Sequence, residues 1–79
     1  MRIDKYLKVS RIIKRRTVAN EVCDAGKVSV NGKVARASYD VKVGDIIEIN
    51  FDTRVIKVKV ESVAETVRKE DAVNMYSAV

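Results

Sequence analysis

The sequence contains no histidine, no proline and no tryptophan, and a single cysteine among its 79 residues. Each absence closes off a class of chemistry. Without histidine there is no imidazole to act as the general base of a dyad or triad. Cys23, with no second thiol beside it, can make neither an internal disulfide nor a zinc site. No proline-marked linker divides the chain, no segment repeats, and no low-complexity run interrupts it. No apolar run approaches the roughly 20 residues that span a bilayer. The start is also not the charged, then apolar, then cleavable pattern of a leader. The expectation is therefore a cytoplasmic chain with no membrane partner. Tyr6, Tyr39, Phe51 and Tyr76 are the only aromatics, too few for a platform of stacked bases. A chain of this length has room for one small core and none for a large catalytic cavity. These features point to a binding module without cofactor or metal, not an enzyme.

What the chain does have is positive charge, unevenly placed. Residues 1–36 carry ten Lys/Arg against three acids, a net of +7, whereas residues 37–79 carry six against eight, a net of −2. A basic segment joined to a mildly acidic one implies a polyanion at one surface.

Apolar spacing predicts a helix over residues 2–9, with Ile3, Tyr6 and Leu7 inward and Arg2, Lys5 and Lys8 outward. Residues 10–13 connect it to a second helix that starts near Arg15 or Arg16, runs to Ala25 and stops at Gly26. Val18, Ala19, Val22 and Cys23 form the inner face of that helix. The period then changes to two. Residues 27–30 and 33–35 alternate as strands about an Asn31-Gly32 hairpin turn, which requires positive φ at both positions. Residues 36–42 read as a loop closed by a turn at Val43-Gly44-Asp45. Residues 45–51 and 54–63 are two further strands joined at Asp52-Thr53, with Val58 and Val60 on a buried face and Lys57 and Lys59 on a wet one. A short helix over 70–76 packs back through Val73 and Tyr76. The fold class is α+β: two N-terminal helices on a small, mostly antiparallel sheet, closed by a short C-terminal helix.

Packing the two helices would merge Arg2, Lys5, Lys8, Arg11, Lys14, Arg15 and Arg16 into one patch. Such a patch binds phosphates by charge-assisted contacts and counterion release. Arg16 opens the second helix, where backbone N–H groups also face an anion. A cation there is mildly unfavourable for the helix itself, which favours an external use. Asp4 either favours the first helix through its dipole or holds Arg16 or Lys5 in a binding posture. Asn31 could present its amide to RNA, and Lys33 and Arg36 could extend the patch.

In order and spacing, Arg2-Ile3-Asp4-Lys5-Tyr6-Leu7, Lys14-Arg15-Arg16-Thr17-Val18-Ala19, the run from Gly26 to Gly32, and Val43-Gly44-Asp45 resemble the S-four, or alpha-L, RNA-binding domain. The core motif covers about residues 2–50, and one domain of that type would span 1–79. The start of the chain through Thr17 and the stretch Lys69–Tyr76 resemble the stand-alone ribosome quality-control members of that family, relatives of the bacterial heat-shock S-four protein. The resemblance implies RNA contacts at Arg2, Asp4, Lys5, Arg11, Lys14, Arg15, Arg16 and Thr17, with Asn31, Lys33 and Arg36 near the rim, and the charge pattern adds Lys8 to the set. It implies large-subunit rRNA and peptidyl-tRNA on an obstructed large ribosomal subunit as partners. It further implies cooperation with an RqcH-type factor that adds alanine to stalled chains, and a monomer off the ribosome. Alternatives are a heat-shock-type factor that recycles obstructed subunits, and a general ribosome- or mRNA-binding regulator. An RNA-modifying enzyme such as a pseudouridine synthase would need a catalytic domain that this length does not supply.

Overall fold

A computed structural model describes all residues, 1–79. Helix α1 (Ile3–Val9) and helix α2 (Arg16–Asp24) pack on each other. Behind them lies an antiparallel sheet of β1 (Val28–Val30), β2 (Lys33–Val34), β3 (Ile46–Phe51), β4 (Arg54–Val60) and β5 (Tyr76–Ala78), in the order β2-β1-β3-β4-β5. The alternation read from the sequence explains which face is covered. Val28, Val30, Ile47, Ile49, Val58 and Val60 are all buried and meet Ile3, Tyr6 and Leu7 of α1 and Ala19 and Cys23 of α2. Each such side chain removed from water is worth roughly 1.5–3 kcal/mol. Val18 and Val22 are only half-buried, so the inner face of α2 is narrower than its apolar spacing implies.

The turns follow the expected chemistry. Asn31 and Gly32 have φ of 53° and 86°, as a two-residue hairpin with the hand of the sheet twist demands. At the end of α2 the Gly26 N–H bonds the Cys23 carbonyl and the Lys27 N–H bonds the Val22 carbonyl. This is a Schellman stop, with Gly26 at φ 79°. The loop after β2 is stitched to the helices. The Asp24 carboxylate accepts the Ala37 N–H, and Ile3 N–H donates to the Tyr39 carbonyl at 2.7 Å.

The C-terminal part departs from the sequence reading in detail. β4 ends at Val60 rather than Val63, and the closing helix is a 3-10 helix, Lys69–Met75. Tyr76 lies outside that helix and begins β5, which pairs Val58, Lys59 and Val60 with Ala78, Ser77 and Tyr76. Val73 is exposed, and Ala72 and Met75 are the residues that pack inward. The anchor is Tyr6, whose buried hydroxyl donates to the Met75 carbonyl at 2.7 Å. Burial, chiefly, raises the Tyr6 pKa, with help from the nearby Tyr76 and Glu61, so the hydroxyl remains a neutral donor.

Candidate functional site

Asp4 organises the basic surface. It sits in the first turn of α1 yet is only 2% exposed, and Arg2, the residue that precedes the helix, makes no side-chain cap. Its carboxylate instead accepts a side-on pair of hydrogen bonds from Arg2, Nε to Oδ1 and Nη2 to Oδ2, both at 3.2 Å. Asn20 Nδ2 donates to Oδ2 at 3.2 Å, and the Lys5 N–H donates to Oδ1 at 2.8 Å. Arg16 Nη2 lies 3.5 Å from Oδ1. Burial works to raise the Asp4 pKa, but the hydrogen bonds from Asn20, Arg2 and Lys5 and the charge of Arg16 together hold it below its ordinary value. Asp4 thus serves the first turn of α1, through the Lys5 N–H, as well as the arginines. It binds both arginines, while the Lys5 ammonium turns away to pair with Glu65.

The result is an open concavity of about 470 Å³ lined by Arg2, Asp4, Arg16, Thr17, Asn20 and Glu21. Arg2 and Arg16 remain 51% and 47% exposed despite their shared carboxylate. Their remaining N–H donors are free to meet an anion, and Asp4 limits how far the two side chains can wander. Four of the lining residues belong to the sequence-derived set. Asn20 and Glu21 were missed, although Asn20 lies four residues beyond Arg16 and Glu21 four beyond Thr17, so helical spacing alone places them on that face.

On another side of α1, Lys8, Arg11 and Lys14 line a second concavity of about 220 Å³, closed by Glu65, Thr66 and Val67. None of the three cations has a carboxylate partner. Arg11 has φ 64°. It occupies at the end of α1 the position that Gly26 occupies at the end of α2, with its N–H bonded to the Lys8 carbonyl. An arginine in this left-handed conformation costs about 1 kcal/mol relative to glycine.

The remaining members are dispersed. Arg15 precedes α2 and, with Lys14, borders a third depression that faces the β3–β4 hairpin. Lys33 and Arg36 are exposed and without ion pairs at the β1–β2 hairpin and the loop that follows. The Asn31 amide is already engaged in the fold. Its Nδ2 donates to Asp45 at 3.1 Å, and its Oδ1 accepts the Ile46 N–H at 2.9 Å. These bonds lock the hairpin to the turn before β3. Cys23 is buried, and burial foremost, then Asp4 and Asp24, push its thiol up to about 11, which makes it an inert core residue.

The arrangement as a whole is a cationic surface built on two short helices and a hairpin. This is the architecture of the S4 domain, whose family model matches residues 1–47, and the chain belongs to that family. Within it, the chain is 54% identical to the RQC P-site tRNA stabilizing factor of Streptococcus pneumoniae, over the whole of this chain and 90% of that protein. It is 52% identical to the protein of the same name from Bacillus subtilis, over 98% of this chain and 90% of that one. Among solved structures, the trimeric heat shock protein 15 of Vibrio cholerae superimposes with a TM-score of 0.92 at 28% identity, covering all of this chain and 81% of that one.

Proposed function

We propose that this chain is a non-catalytic, cytoplasmic RNA-binding factor of ribosome-associated quality control. In this reading residues 1–79 act as one S4-type domain, monomeric off the ribosome. It binds large ribosomal subunits obstructed by peptidyl-tRNA, contacts large-subunit rRNA and steadies the P-site tRNA. It thereby supports alanine tailing of the stalled chain by an RqcH-type factor. The observation that carries the reading is the Arg2–Asp4–Arg16 constellation. Two half-exposed guanidinium groups are aimed by one buried carboxylate, so part of the cost of ordering them is met before RNA arrives. The identity of about half the residues to tRNA-stabilizing factors over nearly the whole chain supports the choice of partner.

Arg2, Lys5, Lys8, Arg11, Lys14, Arg15, Arg16 and Thr17 are the contacts on this reading, Asp4 is a positioning residue, and Lys33 and Arg36 extend the rim. A second reading, recycling of obstructed subunits without tailing, is favoured by the likeness to heat shock protein 15. Gradient sedimentation with large subunits carrying peptidyl-tRNA, compared with vacant subunits, tests both. Selective association with the obstructed subunits is expected, and absence from them would refute the two together. Alanine addition on those subunits, dependent on this chain and an RqcH-type factor, separates the first reading from the second.

A further inference from the structure

The third depression lies where the sheet outruns the helices. On the face that carries the core, Ile47, Ile49 and Val58 are buried, but Phe51 and Ile56, nearer the β3–β4 hairpin, are only half-buried. Ile12 and Val18 approach from the bend and the start of α2, and they too are only partly covered. Between them is a groove of about 300 Å³ with an apolar floor. Its rim is formed by Lys14 and Arg15 on one side and Arg54 on the other. Arg54 pairs with Phe51 across the hairpin, has no carboxylate partner, and no acidic residue lines the groove.

An apolar floor inside a ring of three unpaired cations fits an occupant that is itself half apolar and flanked by negative charge. We infer that this groove takes a single unstacked nucleobase of the bound RNA, laid against Phe51, with its flanking phosphates held by Lys14, Arg15 and Arg54. The inference rests on the RNA-binding reading above and adds to it a preference for an extruded nucleotide. Three features favour a base over an acidic protein segment. The volume is at the lower end of the roughly 300–1,000 Å³ of small-ligand sites and too small to seat a helix, whose diameter is about 10 Å. Lys14 and Arg15 belong to the basic bend, so a backbone tracking along it passes the mouth of the groove. The fold also places the only phenylalanine of the chain there, while Tyr6 is in the core. A sequence with too few aromatics for a stacking platform still supplies one stacking face.

The test uses the full chain labelled uniformly with nitrogen-15 and at its Ile and Val methyl groups. It is titrated with an RNA hairpin containing one bulged adenosine and with the same hairpin lacking the bulge. The methyl signals of Ile12, Val18 and Ile56 should move with the bulged RNA only, and that RNA should bind about five- to tenfold more tightly, as expected for one base stacked on an aromatic ring. Phe51→Leu should abolish the preference while leaving affinity for the unbulged hairpin unchanged, and, independently, the surface change Arg54→Ala should reduce the preference, with a smaller loss for the unbulged hairpin. Silent groove methyls alongside shifted amides of Arg16 and Asn20 would overturn the inference and leave the RNA-binding reading standing. Movement of the groove methyls with an acidic, apolar peptide and not with RNA would reassign the groove to a protein partner and equally overturn it. No shift anywhere with either RNA would overturn both.

Discussion

Replacing Asp4 with asparagine removes a negative charge from a surface proposed to bind RNA, and the structure predicts that binding weakens all the same. Both carboxylate oxygens accept: Oδ1 from Arg2 and the Lys5 N–H, Oδ2 from Arg2 and Asn20, with Arg16 close to Oδ1. An amide can present only one oxygen. Its NH2 group must face donors on the other side, in a site where the side chain is 2% exposed. Loss of hydrogen bonds to a charged acceptor costs about 1.5–3 kcal/mol. The lower part of that range applies, because Arg2 and Arg16 are about half exposed and can recover water. Releasing the two guanidinium groups then adds an ordering cost on RNA binding of about 0.5–1.5 kcal/mol for each side chain. The opposing gain, removal of one anion near phosphate, is about 1 kcal/mol in water at 4 Å and less in salt. The net expectation is a loss of affinity of about three- to thirtyfold, together with a lower melting temperature.

The same site fixes a pH dependence. Because the folded pKa of Asp4 lies below its unfolded value of 3.8, its contribution to stability is complete above that value. It is lost as pH falls through the depressed folded pKa. Denaturant titrations at pH 7 and at stepwise lower pH should show wild type losing more stability on acidification than Asp4→Asn. Filter binding of the two proteins to the same rRNA fragment at fixed salt supplies the affinity. Equal or tighter binding by Asp4→Asn would refute the positioning role.

Arg16→Ala should weaken RNA binding far more than Lys57→Ala on the outer sheet face, and should lower the slope of log affinity against log salt by about one; equal losses would undo the placement of the site. Arg11→Gly should leave stability unchanged or raise it by up to about 1 kcal/mol, because glycine accepts φ 64° freely, while affinity falls. A destabilised glycine variant would show that Arg11 is held by something other than its use at the surface. Tyr6→Phe should cost about 1 kcal/mol and speed hydrogen exchange across residues 69–78, since it removes the buried bond to Met75; unchanged exchange there would mean β5 alone secures the C-terminus.

Much of this was legible from local pattern. The bounds of α1 and α2, the Asn31-Gly32 turn and the buried face of β3 and β4 follow from side-chain period and from the residues that tolerate positive φ. The cationic members of the site were legible as charge. Their grouping was not, because Asp4 reaches Arg16 and Asn20 only once the two helices pack, and the pairing of Lys5 with Glu65 spans 60 positions. The same holds for β5. Residues 76–78 carry too little alternation to mark a strand, and they become one by pairing with β4 beside an anchor, Tyr6, that lies 69 residues before Met75. The apolar groove escaped notice because Phe51, Arg54 and Ile56 read as an ordinary hairpin until the helices are seen to stop short of them.

A cryo-EM reconstruction of large ribosomal subunits recovered through this protein tests the central claim most directly. The account predicts the chain on subunits that carry a P-site tRNA, with Arg2 and Arg16 within hydrogen-bond reach of RNA phosphate oxygens and Asp4 still between them. Density for the chain on vacant subunits alone, or docked through the outer face of its sheet with the Arg2–Arg16 concavity open to solvent, would contradict it.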